Sequence, residues 1–157
     1  MDYKSGSIIL PLPTEDVLVK REQYWRVELP QSYKDFIKKL NGVKPVKATI
    51  TYDSHSENIE CFLCILDSTK DNINAARLDI DVVMSPRIER MGYEEDSIGV
   101  HVLPIAKMDY GNYLALDYKD GDSNPTVCVW DNEESGDFEP VTYFVANSFE
   151  EFLDMLK

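Results

Sequence analysis

The stretch Asn112–Asp131, NYLALDYKDGDSNPTVCVWD, limits the fold more than any other part of this 157-residue chain. Two apolar runs flank a polar linker holding Asp120-Gly121 and Asn124-Pro125, residue pairs that favour chain reversal. Tyr113, Leu114 and Leu116 on one side, and Thr126, Val127, Val129 and Trp130 on the other, are strand formers. The segment reads as a β-hairpin. Strands apolar on both faces lie centrally in a sheet with cover on at least one side, so the remaining chain must provide that cover.

Helices to do so are legible on either side. Thr14 can cap a helix running to about Trp25, with Val17, Leu18, Tyr24 and Trp25 as its apolar positions. In Leu29–Gly42, LPQSYKDFIKKLNG, the residues Tyr33, Phe36, Ile37 and Leu40 fall at i, i+3, i+4 and i+7. One face is therefore apolar, and Lys34, Lys38 and Lys39 are expected to stay wet. Pro30 suits the first turn, and Gly42 can end the helix in left-handed geometry. At the other end of the chain Ser148 and Glu151 have capping-box spacing, ahead of Phe149, Phe152, Leu153 and Leu156.

Lys47–Asp53 and Ile59–Leu66 read as paired strands around a polar DSHSEN linker. A middle helix is expected from Asn72 to about Met84, with Ile73, Ala76, Ile80 and Val83 inward, broken at Ser85-Pro86. An acidic loop, Glu94–Asp96, leads to a strand at Val100–Ile105, and a last strand covers Val141–Ala146. The order ααββααββββα predicts a single α+β domain over residues 1–157, a largely antiparallel sheet with helices packed against it. The hairpin strands are expected to form the sheet's centre, anchored by Trp130 and covered by the Leu29 and Ser148 helices.

Charge narrows the partners. The chain carries −13, but residues 1–92 account for only −1 and residues 93–157 for −12. Nucleic acid or an anionic membrane calls for the opposite sign. A one-sided acidic field instead speeds encounter with a basic partner, although solubility alone also accounts for it. No apolar run approaches the roughly 20 residues of a membrane helix. With no signal-peptide core and an odd three cysteines, the expected compartment is the cytoplasm.

The chemistry-bearing residue types are sparse. Cys61 and Cys64 form a CxxC, but inside an apolar strand, where residues three apart point to opposite faces. Redox CxxC motifs sit at a helix start, and zinc needs a second ligand pair that Cys128 and two histidines do not form, so buried structural thiols are expected. His55 in a loop and His101 in a strand have no nucleophile motif beside them. DYKDGDSN lacks EF-hand ligand spacing and reads as a turn. No cofactor or metal is expected. The late acids differ in kind: Asp131, Glu133, Glu134, Asp137 and Glu139 fall within nine residues, and Asp109-Tyr110 occupies the preceding turn. A solvated loop accounts for them; so does a surface selected for a basic protein partner, given exposed Tyr110 and Phe138.

With these residues in view the chain resembles the SUKH superfamily, which includes the yeast cell-wall-synthesis regulator and many bacterial toxin-immunity proteins. LPQSYKDFIKKLNG is similar to the family signature L-P-x-x-Y-x-x-F-[LI]-x-x-x-N-G. LPIAKMDYGNYLALDY, VCVWD and VANSFEEFLDMLK follow the family's closing strands and helix in order. Val43 stands where a second glycine is common, and residues 51–91 match poorly. The resemblance implies an α+β domain that recognises other proteins without a catalytic centre. In bacterial members it implies a cytoplasmic immunity protein holding a cognate toxin, often a nuclease, inactive by direct binding. Asp109, Tyr110, Asp131, Glu133, Glu134 and Asp137 are the expected contacts with such a basic toxin. The alternatives are a regulatory scaffold, which would carry long disordered flanks, and a hydrolase built on an unrecognised acid–histidine site.

Overall fold

The computed structural model describes residues 1–93 and 99–156. The expected Glu94–Asp96 loop lies outside them. Helix α1, Glu15–Trp25, starts where Thr14 Oγ1 accepts from the Val17 amide at 3.4 Å. Helix α2, Gln31–Leu40, begins after Pro30 and buries Tyr33, Phe36 and Ile37, the face that the apolar spacing marks. Tyr24, expected inward, is instead exposed. Lys34 is the converse case: its side chain is only 13% exposed, because its ammonium sits 2.8 Å from Glu22 and 3.7 Å from Glu15 on α1. The ion pairs bind the two helices together, and the Glu22 hydrogen bond raises the Lys34 pKa.

Strands β1, Thr49–Tyr52, and β2, His55–Phe62, form a tighter hairpin than the composition of DSHSEN suggests. Asp53 and Ser54 both have positive φ, as a type I′ turn requires, and Tyr52 already pairs with His55. His55 is therefore a strand residue, not a loop residue. The expected middle helix is also cut up. A 3₁₀ turn covers Ala76–Leu78, and α3 is only Ile80–Met84. Between them Asp79 is extended, and its carboxylate accepts the Leu66 and Asp81 amides, each at 2.9 Å. Capture of Asp79 by the chain leaving β2 outweighs the weak helix propensity of this β-branched stretch. Ile73 consequently faces solvent.

The remaining strands are β3, Val102–Met108; β4, Tyr113–Asp117; β5, Thr126–Trp130; and β6, Thr142–Ala146, followed by α4, Phe149–Met155. All six strands pair antiparallel in sequence order, and the opening hairpin, β4–β5, lies inside the sheet. At α4 the Ser148 hydroxyl caps the Glu151 amide at 3.1 Å, but Glu151 reaches back to the Asn147 amide instead of closing a box on Ser148. The fold is α+β, as expected.

Register assigns the faces. Phe62, Ala106, Leu114 and Val129 share one, and Tyr113 and Trp130 the other. Helices α2 and α4 cover the first: Phe36 lies 4.8 Å from Phe62 and 5.4 Å from Phe149, which meets Tyr33 edge-on at 5.2 Å. These helices therefore cover the hairpin strands, as expected, while Trp130 belongs to the opposite face. There the chain after α3 covers it, with Arg90 over its ring and the indole N–H donating to the Arg90 carbonyl at 3.1 Å. The sheet also curls: Cα atoms of β1 and β6 come within 8 Å, and Tyr52 and Tyr143 stack at 5.5 Å.

Asn41 fastens the chain ends of this framework. It is fully buried, its Oδ1 accepts from Ile65 N–H at 2.9 Å, and its Nδ2 donates towards the carbonyls of Ile9, Ile65 and Pro11 at 3.2 to 3.4 Å. Beside it Gly42 has φ +67°, and a Cβ there would stand 2.2 Å from the Ile9 Cδ1. Replacing Asn41 by Leu leaves the buried amide and carbonyl of Ile65 without that partner and removes the donor to the part-buried carbonyls of Ile9 and Pro11. The expected loss is about 3 kcal/mol, measured by urea unfolding.

Candidate protein-binding site

In an antiparallel meander alternate turns emerge at the same end of the sheet. The β1–β2 turn, the β3–β4 turn and the β5–β6 loop therefore share one end, and the six acidic and aromatic residues singled out from sequence come together there. Asp109 and Tyr110 occupy a 3₁₀ turn after β3, where the Asp109 carboxylate accepts from Asn58 Nδ2 of β2 at 3.2 Å. Tyr110 is 85% exposed with φ +63°. Phe138 repeats the arrangement, an exposed aromatic at φ +60° directly after Asp137. Left-handed backbone at a residue with a side chain costs on the order of 1 kcal/mol, and such strain gathers at functional sites.

Asp131, half-buried at the end of β5, accepts the Glu134 amide at 2.8 Å and so forms the first turn of the loop. Glu133, Glu134 and Asp137 are exposed. Glu134 accepts the Tyr143 hydroxyl at 2.6 Å, and that bond, more than burial, pushes the Tyr143 phenol up to about 12. Tyr143 stacks on Tyr52, whose ring lies 5.8 Å from His55. A connected rim of carboxylates and aromatic rings results.

Three residues that sequence reading passed over hold this rim. Asn112 is buried, donates to both Glu57 oxygens at 3.2 and 3.0 Å and to the Tyr52 hydroxyl at 3.4 Å, and accepts the Asn132 amide at 2.9 Å. One amide thus ties the β3–β4 turn to the β1–β2 hairpin and the acidic loop. Glu57, only 6% exposed, has the Tyr52 hydroxyl as its second donor. Burial first, then that bond to Glu57, raises the Tyr52 pKa. Strict alternation of Glu57 with Ile59 and Cys61 along β2 is the signal that could have marked it as inward. Arg90 gives the loop a cationic anchor, donating to the Asn132 side chain at 3.0 Å, the Asn132 carbonyl and the Ser135 carbonyl at 3.1 Å.

The other candidate chemistry is dispersed. His55 and His101 stand at opposite ends of the neighbouring strands β2 and β3, too far apart to share a site. Asp117, the last residue of β4, pairs with Lys119 of the following turn at 3.3 Å. All three thiols are free and buried. Burial, with the Asp79 charge second, pushes Cys64 up to about 12, and burial also raises Cys61 and Cys128.

An antiparallel α+β framework displaying an acidic, aromatic rim is the class that fold and site define. A family model described as SMI1-KNR4 cell-wall, within the SUKH group, matches residues 15–153, and the chain belongs to that family. No curated protein matches it. No described helix is long and apolar enough to cross a membrane.

The buried thiols carry a direct test. A thiol with a raised pKa stays protonated below it, so at about pH 8 the native protein should leave a chromogenic disulfide reagent unreacted. All three cysteines should react once the chain is denatured. Fast release from the native state would show that the CxxC is accessible.

Proposed function

We propose that this chain is a non-enzymatic immunity protein of the cytoplasm. It neutralises a cognate, basic toxin of the nuclease type by direct binding through Asp109, Tyr110, Asp131, Glu133, Glu134 and Asp137. The observation that carries the reading is the convergence of these six residues on one rim, coupled through Asn112 to the buried framework. Family membership supports protein recognition. Charge supports the sign of the partner: a nuclease must attract polyphosphate, so its active-site border is cationic, and an acidic rim can occupy that border in place of nucleic acid. Pre-formed hydrogen bonds at the rim limit the side-chain ordering lost on binding.

The test is co-expression with the product of the adjacent upstream gene. Rescue from its toxicity together with co-purification is the expected result; a harmless, non-binding neighbour counts against the immunity reading. For the purified pair, the association rate should fall about 10- to 1000-fold from low to high salt, as screening removes steering. Glu133→Lys and Glu134→Lys should slow association at low salt while unfolding curves remain unchanged. Tight binding indifferent to salt and to both reversals would overturn the electrostatic part.

A further inference from the structure

At the end of β1 and β2 remote from the rim, a groove of about 470 Å³ runs between the N-terminal segment and residues 72–78. Its lining includes Lys4, Lys44, Asn74, Ile8 and Leu78 and no carboxylate, in a chain with 29 acids against 16 bases. Arg77 adjoins the lining residue Leu78. Among the described residues neither lysine nor Arg77 belongs to any of the ion pairs that Lys20, Arg21, Lys34, Lys38, Lys107 and Lys119 make. The nearest acids along the chain are Asp2, Asp71 and Asp79; the Asp71 carboxylate accepts the Ser68 amide at 3.2 Å, and the buried Asp79 carboxylate accepts the Leu66 and Asp81 amides, each at 2.9 Å.

Two large apolar side chains stand on the lips of this groove. Leu10 is 62% exposed and Ile73 79%, and Asn72 Nδ2 ties the lips together by donating to the Leu10 carbonyl at 2.8 Å. These side chains project outward. A peptide would require them to form an enclosed floor, whereas projecting apolar tips beside lysines that make no ion pair among the described residues suit entry into the headgroup boundary of an anionic bilayer.

We propose that this groove and its lips dock the protein onto an anionic lipid surface, with Lys4, Lys44 and Arg77 on lipid phosphates and Leu10 and Ile73 at the acyl boundary. The chain's net charge argues against such a partner, but local charge decides the contact. Strand β2 alone, eight residues at about 3.3 Å each, puts roughly 26 Å between the groove end and the hairpin tip at the rim. The Debye length at physiological ionic strength is about 8 Å, so the rim's repulsion is largely screened at that distance. Docked this way, the rim points away from the bilayer and stays open to a partner.

Co-sedimentation of the full chain with vesicles tests this. Binding is expected to vesicles of mixed phosphatidylglycerol and phosphatidylcholine and not to phosphatidylcholine alone. Leu10→Ser and Ile73→Ser, both at exposed positions, should each weaken binding about tenfold at unchanged charge. The double variant Lys4→Glu/Lys44→Glu should abolish it, and Glu133→Lys on the rim should not reduce it. Circular dichroism of each variant checks that it folds. The proposal is overturned by absence of binding to anionic vesicles, by equal binding to neutral ones, or by indifference to both serine variants. Full displacement from vesicles by inorganic phosphate or by a glutamate-rich peptide also overturns it, reassigning the groove to free anions or acidic peptides.

Discussion

The structure depends first on the side-chain amide of Asn41. An asparagine amide offers the N–H and C=O of a peptide group and one further N–H, and here it pairs with Ile65 through both N–H and C=O, as a neighbouring strand would. The chain leaving β2 thereby finds partners beyond the last ladder bond. The same amide and the Asn41 carbonyl hold the N-terminal segment at Ile9 and Pro11. Glycine is then favoured at position 42, because its φ of +67° strains any other residue and a Cβ there would force the Ile9 side chain to move. The adjacent Asn-Gly of the family signature is one device: the amide joins three segments, and the missing side chain lets them close.

A comparable polar joint lies at the other end of the sheet. Glu57 is a buried carboxylate that no described lysine or arginine reaches, and the Tyr52 hydroxyl and the Asn112 amide meet its demand for donors. Desolvating an anion is costly, so such a group persists only with well-placed donors. The two joints divide the molecule's labour. Asn41 holds the framework, and Asn112 with Glu57 fixes the position of the turns that carry the rim.

Local signals made much of this legible. The β4–β5 pairing follows from alternation and turn residues, and the α2 face from 3.6-residue spacing. The shared location of Asp109 and the 131–137 acids follows once the strands form a meander, because alternate turns then coincide. The failures share a physical cause, a partner distant in sequence. Lys34 loses its water because Glu22 on another helix approaches it, and the expected helix through Asp79 is interrupted by the Leu66 amide. DSHSEN looks like a loop by composition, yet Ser56 and Asn58 are simply the outward residues of a half-buried strand. Arg90 offered no pattern at all, since its role is defined by carbonyls more than forty residues away.

The curl of the sheet has a further consequence. An open sheet offers its outermost strands to any extended chain that can continue the hydrogen-bond ladder, which invites both peptide capture and aggregation. Here β1 and β6 turn towards each other, with Tyr52 and Tyr143 filling the space where an added strand would begin. Backbone pairing, which reads little sequence, is thereby discouraged at that corner. Recognition there falls to the side chains of the turns, which can be exchanged one at a time while the ladder behind them stays intact. A scaffold of this kind can change its partner by altering its rim alone.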